Sequence, residues 1–145
     1  MKKNKVDLVK KWLEKARRDL ATAKNCLNSS EPFADIICFH TQQAGEKYIK
    51  AYLLWQEIVF PKTHSLEDLL LLANQMDSSF QALIEDANIL TPYAVEIRYG
   101  ESDEPFIVDA QQAVKIAEQI RDFVVRKLPD EIKNPTDDQS SIEKK

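Results

Sequence analysis

Arg98 is the side chain whose surroundings most clearly point to a binding role. It precedes Tyr99 and stands before a polar, acidic stretch at residues 101–105. A guanidinium there can hold a phosphate or a carboxylate through two parallel hydrogen bonds, and the Tyr99 ring can stack on a base. The alternative is a structural salt bridge from Arg98 to an acid such as Glu46 or Glu101. The residues alone leave both interpretations open.

The two histidines and two cysteines lack the spacing that metal sites and nucleophilic sites require. His40 lies on an apolar stripe within a predicted helix, His64 precedes another, and neither has the HExxH partner of a helical zinc site. Cys26 and Cys38 stand alone, as small buried hydrophobic residues usually do. There is no glycine-rich phosphate loop and no recurring ExxH pair. We therefore expect no metal and no cofactor, and we expect the histidines to be hydrogen-bonded structural residues.

Composition and charge predict a soluble helical domain. Of the 145 residues, 43% are hydrophobic, 30% are charged and only two are glycine, which is few for folds rich in tight hairpins. The net charge is −4, yet residues 1–28 carry nine basic and three acidic side chains. This asymmetry either steers an anionic ligand toward the first helix or marks a solvated helix face. Without an apolar run near ~20 residues or a secretory signal, the expected location is cytoplasmic, with no membrane partner.

Apolar spacing predicts two long helices in the first half of the chain. The first covers about residues 6–28, where apolar residues recur in steps of three and four. These residues are Val9, Leu13, Ala16, Leu20, Ala23 and Leu27. The second covers about residues 33–58, with Ser30 as N-cap, Pro32 in its first turn and Pro61 as its stop. Its broad apolar stripe predicts a central helix that touches several neighbours.

Capping residues predict a third and a fourth helix. Ser65 opens the third, with Asp68 three residues later in a capping-box arrangement. The fourth starts at residues 78–79 and restarts at Thr91, which can cap the next turn ahead of a proline. We expect it to run to about residue 99 and to stop at Gly100.

The remaining sequence predicts one last helix and a tail. Asp109 and Gln112 form a capping box before a helix whose apolar residues stay in register to Leu128. The predicted helical domain is therefore residues 1–128, and the polar residues 129–145 are predicted to be a disordered tail. Short connections favour antiparallel neighbours. The predicted fold is all-α, an up-down antiparallel bundle of about five helices with a four-helix-bundle-like core.

Three motifs occur in an order that resembles a known family. The first, at residues 39–53, reads FHTQQAGEKYIKAYL; the second, at residues 62–66, reads KTHSL and precedes a leucine run. The third, at residues 93–100, ends in Arg-Tyr-Gly. Together, over residues 8–128, they resemble the HEPN family, whose name stands for higher eukaryotes and prokaryotes nucleotide-binding.

The resemblance implies a bundle of about five helices that is usually dimeric. Small prokaryotic members are commonly encoded beside a minimal nucleotidyltransferase, with which they form a two-protein system. Many members are ribonuclease toxins that this partner silences. In those toxins an arginine is followed, after about four to six intervening residues, by a histidine, and two such motifs meet across the dimer to cut RNA.

This chain matches only part of the toxin motif. Arg98 matches the arginine, but positions 103–105 read Asp-Glu-Pro, and no histidine follows Arg98 anywhere in the chain. A carboxyl such as that of Asp103 or Glu104 is poorly tuned for proton transfer near neutral pH unless it is strongly desolvated. No tyrosine lies just beyond, where the partner enzyme adenylylates some toxins. The resemblance therefore favours the branch of nucleotide-binding or partner-binding modules.

The leading hypothesis is a non-catalytic HEPN protein that forms a homodimer and engages a minimal nucleotidyltransferase. A groove for a nucleotide or an RNA phosphate would be lined by five candidate ligand-binding residues. These are Arg98, Tyr99, His40, Gln43 and Glu46. One alternative is an active ribonuclease toxin that uses Arg98 with a nonstandard acid–base group. Another is a structural helical adaptor in which Arg98 only ties helices together.

Overall fold

The structure, a computed structural model, describes residues 2–94 and 104–133, and every regular element among them is helical. Six α-helices follow one another: α1 Lys2–Leu27, α2 Ala34–Trp55, α3 Leu66–Met76, α4 Ile84–Leu90, α5 Ile107–Arg126 and α6 Asp130–Lys133. The 3-10 turns Ser78–Leu83 and Thr91–Ala94 directly precede and follow α4. The all-α prediction is confirmed. None of the described helices is long and apolar enough to cross a membrane.

Helices α1 and α2 form an antiparallel pair along the predicted apolar seam of α1. The buried members of that seam are Val9, Leu13, Ala16, Leu20 and Ala23. Lys5, near the start of α1, donates from Nζ to the carbonyl oxygen of Trp55, at the end of α2, at 3.1 Å. Because the start of one helix meets the end of the other, the two run in opposite directions, as their short connection favours.

Helix α2 is the central helix, as its broad apolar stripe predicts. Three other helices converge on it at Gly45. A Cβ built at that position would lie 3.2 Å from Ile120 Cδ1, 3.5 Å from Leu66 Cδ1 and 3.6 Å from Leu90 Cδ1. These side chains belong to α5, α3 and α4. The absence of a side chain at Gly45 therefore lets three helices approach the α2 backbone closely.

An aromatic cluster fills the core near the C-terminal end of α2. The ring of Phe80, in the first 3-10 turn, lies 4.6 Å from that of Tyr52 and 4.9 Å edge-to-face from that of Phe123, measured between centroids. Phe80 is fully buried. Truncation of such a phenylalanine to alanine typically costs about 3–5 kcal/mol. The cluster thus joins α2, the 3-10 turn and α5 into one core.

The start of α2 differs from the prediction. Phe33 is the N-cap residue and no side chain caps the helix, so the prediction of Ser30 as N-cap is wrong. The backbone of Phe33 is extended (φ −85°, ψ 106°), which separates Pro32 from the first helical turn. Proline also disfavours the helical region for the residue before it, so residue 31 is a poor first residue for the helix.

The end of α2 also differs, because Pro61 does not terminate it. The helix ends at Trp55, where Glu57 adopts the left-handed conformation with φ 59°. The N–H groups of Glu57 and of the following residue donate to the carbonyl oxygens of Leu54 and Leu53 at 3.0 and 2.9 Å. This is a Schellman motif, which satisfies the last carbonyls of a helix. Such a position usually holds glycine, and no glycine marks it in the sequence.

The connection from α2 to α3 runs back along α2. The Phe60 ring lies 5.6 Å from Lys50 Nζ, and His64 Nδ1 lies 2.9 Å from Glu46 Oε1. Helix α3 therefore begins beside the middle of α2. Its N-cap is Ser65, whose Oγ accepts from the N–H of Asp68 at 3.2 Å, which confirms the predicted helix start.

The caps predicted for the fourth helix act elsewhere. The hydroxyl oxygen of Thr91 accepts from the N–H of Leu66 at 3.2 Å, so Thr91 caps α3 across space rather than its own turn. The cap of the first 3-10 turn is Asp77, whose carboxylate accepts from the N–H of Ser79 at 3.0 Å. In both cases an oxygen satisfies an N–H that the helix leaves free. The predicted stop at Gly100 lies outside the described residues.

Asp109 and Gln112 do not form the predicted capping box. Helix α5 begins at Ile107, which makes Asp109 its third residue. The Asp109 carboxylate accepts from the backbone N–H of Phe106, the N-cap residue, at 2.8 Å. A carboxylate in the first turn satisfies a free N–H and interacts favourably with the helix dipole. Asp109 therefore lies three residues after the N-cap position at which we predicted it.

The chain stays packed beyond Leu128, although we predicted a disordered tail over residues 129–145. Helix α6 covers Asp130–Lys133 and contacts α1, and Ile132 is fully buried. A single apolar residue in a polar stretch gives no periodicity, so the pattern of the sequence does not reveal this turn. The rest of the predicted tail, residues 134–145, lies outside the described residues.

Candidate functional site

The polar side chains of α2 form two clusters, each built around one carboxylate. In the first, which we call the Asp19 cluster, Asp19 of α1 accepts from His40 Nδ1 at 3.0 Å and from Lys47 Nζ at 2.5 Å. An ionised carboxylate only accepts hydrogen bonds, so Nδ1 of His40 carries a proton. The side chains of His40 and Lys47 are 28% and 25% exposed. The cluster therefore lies at the surface between α1 and α2.

The second group, the Glu46 cluster, joins α2 to the segment before α3. Glu46 Oε2 accepts from Lys50 Nζ at 2.7 Å, and Oε1 accepts from His64 Nδ1 at 2.9 Å and from Gln42 Nε2 at 3.1 Å. Gln42, Glu46 and Lys50 are four residues apart, which places them on one helix face. The Glu46 and Lys50 side chains are 7% and 11% exposed, whereas that of His64 is 64% exposed. The cluster is a buried ion pair with an exposed imidazole.

Hydrogen bonding keeps the Glu46 carboxylate ionised despite its burial. Burial by itself raises the pKa of a carboxyl, because it removes the charged form from water. In Glu46 the hydrogen bonds from Lys50, His64 and Gln42 outweigh that effect, and the pKa lies below its ordinary value of 4.5. A buried ion pair is tolerated only when its hydrogen bonds are satisfied in this way.

Aromatic rings cover the buried ammonium group of Lys50. Its Nζ lies 5.9 Å from the centroid of Trp12 and 5.6 Å from that of Phe60. The negative faces of such rings attract a cation, and the effect is stronger where water is excluded. Lys50 is therefore held by one carboxylate and two rings, which fixes the position of the whole cluster.

The three predicted ligand-binding residues of α2 fall into different environments. His40 belongs to the Asp19 cluster, while Gln43 donates from Nε2 to Gln42 Oε1 at 2.7 Å and so extends the Glu46 cluster. Glu46 is 5% exposed, and both of its oxygens are already bonded to protein donors. It orders its neighbours through these hydrogen bonds, and a salt bridge from Glu46 to Arg98, which lies outside the described residues, stays a prediction. His40 and Gln43 are partly exposed and can face a ligand.

His64 is more exposed than the sequence indicates. We expected a hydrogen-bonded structural histidine, and Nδ1 is indeed bonded to Glu46. However, the ring is mostly exposed, and with Nδ1 protonated its Nε2 holds a free lone pair in the neutral form. In the sequence, only the four-residue spacing of Gln42, Glu46 and Lys50 indicates a polar helix face here. No pattern in the sequence shows that His64 bonds to this face.

Cys38 is not an activated thiol, and the described residues offer no metal site. Cys38 is buried and hydrogen-bonded to Tyr93, and burial raises the pKa of its thiol to about 11. A thiol of that kind is protonated near neutral pH and is a poor nucleophile. Within residues 2–94 and 104–133, no three side chains of His, Cys, Asp or Glu come together in a way that could hold a metal ion.

Arg98 and Tyr99 lie outside the described residues, so their role stays a prediction. The described chain stops at Ala94, directly after Tyr93 contacts Cys38 on the first turns of α2. It resumes at Glu104, two residues before the N-cap of α5. Arg98 is thus four residues along the chain from a part of the structure that packs on α2.

Exposed apolar side chains surround the end of the bundle where α2 and α5 begin. Helices α2 and α5 run alongside each other in the same direction, because Ile120 lies beside Gly45 and because Tyr52 and Phe123 both pack on Phe80. The first turns of the two helices are therefore at the same end of the bundle. The exposed apolar side chains in these turns are Phe33 (52%), Ile36 (45%), Phe106 (74%), Ile107 (38%) and Val108 (64%). Apolar groups concentrated in this way mark interaction surfaces. We call these five residues the apolar end.

Comparisons with known proteins agree with the fold. A family model described as the HEPN domain matches residues 9–128. The crystal structure of TT1696 from Thermus thermophilus is 29% identical with a TM-score of 0.69, over 83% of this chain and 98% of that one. ST0689, an archaeal HEPN homologue, is 23% identical with a TM-score of 0.67, over 82% and 96%. No protein of curated function matches. The family model spans most of the sequence, and this chain belongs to the HEPN domain family.

Proposed function

We propose that this HEPN protein is a homodimeric, non-catalytic component that binds a nucleotide and a minimal nucleotidyltransferase partner. The observation that carries the proposal is the incomplete third motif. Within a chain that belongs to the family, Arg98 is present but no histidine follows it. An arginine alone retains the chemistry of phosphate binding while it lacks the group that moves protons in RNA cleavage.

The polar edge of α2 supports a phosphate-bearing ligand. The partly exposed ammonium group of Lys47, in the Asp19 cluster, and the side-chain amide of Gln43 present N–H donors four residues apart on α2. Hydrogen bonds to Asp19 and Gln42 fix these donors in position, so they lose little freedom when they bind a ligand. A nucleotide phosphate held by Arg98 would meet ordered donors rather than mobile side chains.

The apolar end supports the homodimer. Its most exposed members, Phe106 and Val108, follow the Arg98 segment closely along the chain. A second copy that covers this surface in a symmetric contact would remove apolar area from water and bring the two Arg98 segments to one interface. In that arrangement the dimer, rather than the single chain, carries the complete binding site.

Nucleotide binding by Arg98 is tested directly with ATP. Loss of a bidentate, charged hydrogen-bond pair typically costs about 1.5–3 kcal/mol, so Arg98→Ala should weaken ATP binding by about ten-fold or more in isothermal titration calorimetry. Arg126→Ala, at an exposed arginine without an ion pair among the described residues, is the matched control and should bind as the wild type does. If Arg98→Ala lowers the thermal midpoint but leaves ATP and partner binding intact, the protein is a structural adaptor instead.

One observation favours a second candidate function, an RNA-cleaving toxin. The ring of His64 is oriented by Glu46 and is mostly exposed, so it supplies an imidazole that the third motif lacks. Its Nε2 could take the proton of a 2′-hydroxyl as that oxygen attacks the phosphorus. The 5′-oxygen would then leave with a proton from water, which yields a 2′,3′-cyclic phosphate and a 5′-hydroxyl.

The two functions give opposite results in a cleavage assay. If the toxin function is correct, the purified protein cuts RNA, and His64→Asn slows cleavage by about 10²–10⁴-fold. The asparagine amide keeps a donor near the position of Nδ1 and lacks only the Nε2 of the imidazole, and Arg126→Ala, at an exposed arginine of α5, is the control. Intact RNA with the wild type, together with normal growth on expression, eliminates the toxin function and leaves the binding function.

A further inference from the structure

We propose that the outer face of α1 binds the phosphate backbone of single-stranded RNA. Three exposed cations form this surface, Lys11, Lys15 and Arg18, which we call the basic stripe. Their spacing of four and three residues places them on one helix face over about 10 Å of the helix axis. Like the proposed function, this proposal expects a ligand that carries phosphate, but the ligand binds to α1 rather than to Arg98 and α2.

The basic stripe is not neutralised by the acids of its own helix. Glu14 is held by Arg17 through two hydrogen bonds of 2.9 and 2.7 Å, and Arg18 acts on the same carboxylate only at longer range. Asp19 is engaged by the two donors of its cluster. Asp7 is exposed on the same face, four residues before Lys11, and offsets one of the three positive charges. Among the described residues, no stripe cation forms an ion pair, so the face keeps a net positive charge.

The surroundings of the stripe fit RNA better than a protein surface or a membrane. The outward positions beside it hold Asn4, Thr22 and Asn25, and the one large apolar residue is Leu8, which is 43% exposed. A protein interface needs apolar or aromatic anchors at its centre, and a membrane-binding helix needs an apolar outer face. A row of cations without such anchors is typical of a surface that binds a polyanion. Binding is then driven by the release of the counterions of the polyanion. A flexible single strand can follow the convex helix surface.

The salt dependence of binding measures the number of phosphates that the stripe contacts. The probe is a fluorescent single-stranded oligoribonucleotide, and anisotropy titrations are run over a series of salt concentrations. Each neutralised phosphate of a single strand contributes about 0.7 to the slope of log K against log salt. The variant Lys11→Gln/Lys15→Gln should therefore reduce the slope by about 1.4. Addition of Arg18→Gln should reduce it by about 0.7 more.

A matched variant removes the same charge from another face. Lys115 and Arg126 are exposed on α5, so Lys115→Gln/Arg126→Gln lowers the net charge equally and should keep nearly the wild-type slope. Circular dichroism should show equal helix content in all variants, since glutamine is a good helix former. An equal effect of both double variants, or no binding by the wild type, would overturn the proposal.

Two further results would assign the stripe to another partner and so refute the proposal. One is a change in molar mass of the stripe variant in light scattering, which would make the stripe a contact between copies. The other is binding to anionic vesicles in place of RNA. The test of ATP binding at Arg98 is independent of all these outcomes. Failure of one proposal can therefore be distinguished from failure of the other.

Discussion

Neutralising Glu46 should destabilise the protein more than any other single charge removal on α2. In Glu46→Gln the ammonium group of Lys50, 11% exposed, loses its only ion-pair partner among the described residues. Breaking a buried pair from one side typically costs about 3–5 kcal/mol. We therefore expect a loss of about 3–5 kcal/mol.

Removal of the other partner of the pair, Lys50, should cost less than removal of Glu46. In Lys50→Met the Glu46 carboxylate keeps two donors, His64 and Gln42, so the loss should be about 1–3 kcal/mol. The double variant Glu46→Gln/Lys50→Met should recover part of the stability of Glu46→Gln. Urea denaturation followed by circular dichroism gives each free energy of unfolding, and the double-mutant cycle gives the coupling between the two residues.

An exposed pair provides the control for this cycle. Lys24 and Glu118 form an ion pair at 2.8 Å, but their side chains are 43% and 30% exposed, so Lys24→Met should cost less than about 1 kcal/mol. If Glu46→Gln costs no more than this control, Glu46 and Lys50 are not a desolvated pair in solution. The description of the Glu46 cluster as the fixed centre of the site would then be wrong.

The same variant should change the response to acid. Because the folded pKa of Glu46 lies below 4.5, its ionised form adds stability above the ordinary pKa, and this contribution is lost as pH falls through the folded value. The difference in unfolding free energy between the wild type and Glu46→Gln should therefore be largest near neutral pH and shrink as the pH falls below 4.5. A difference that is constant with pH would refute this assignment.

Three other predictions test local features. At the left-handed position Glu57 (φ 59°), glycine should give a protein about 1 kcal/mol more stable than alanine in urea denaturation. The hydrogen bond from Lys127 lowers the pKa of Asp77 to about 2, so Lys127→Met should return that pKa toward 3.8 in an NMR titration. Val108→Asp should shift a homodimer toward monomer in light scattering, whereas Val59→Asp, at a separate exposed apolar residue, should not.

The sequence pattern predicted the helices better than it predicted their ends. The seam from Val9 to Ala23 and the central position of α2 follow from apolar periodicity, which reports burial directly. The ends depend on single backbone conformations. Glu57 adopts φ 59° without being a glycine, and Thr91 caps α3, which precedes it by many residues. Neither feature leaves a local pattern, so neither can be read from neighbouring residues.

The sequence predicted which residue types belong to the candidate site, but not how deeply each residue is buried or which partners it has. His40, Gln43 and Glu46 are indeed polar residues of α2, but burial separates their roles, because Glu46 has no free oxygen while His40 keeps an exposed edge. The partners that decide this come from other elements, Asp19 from α1 and His64 from the segment before α3. Such long-range contacts are fixed by packing, which a single sequence does not display.

The measurement that tests the central proposal most directly is light scattering of this protein mixed with the product of its neighbouring gene, which the proposal expects to be a minimal nucleotidyltransferase. We predict one species whose mass equals a dimer of this chain plus bound partner, and no RNA cleavage by the protein alone. Two separate peaks at the masses of the free proteins, over concentrations up to the highest that stay soluble, would contradict the claim.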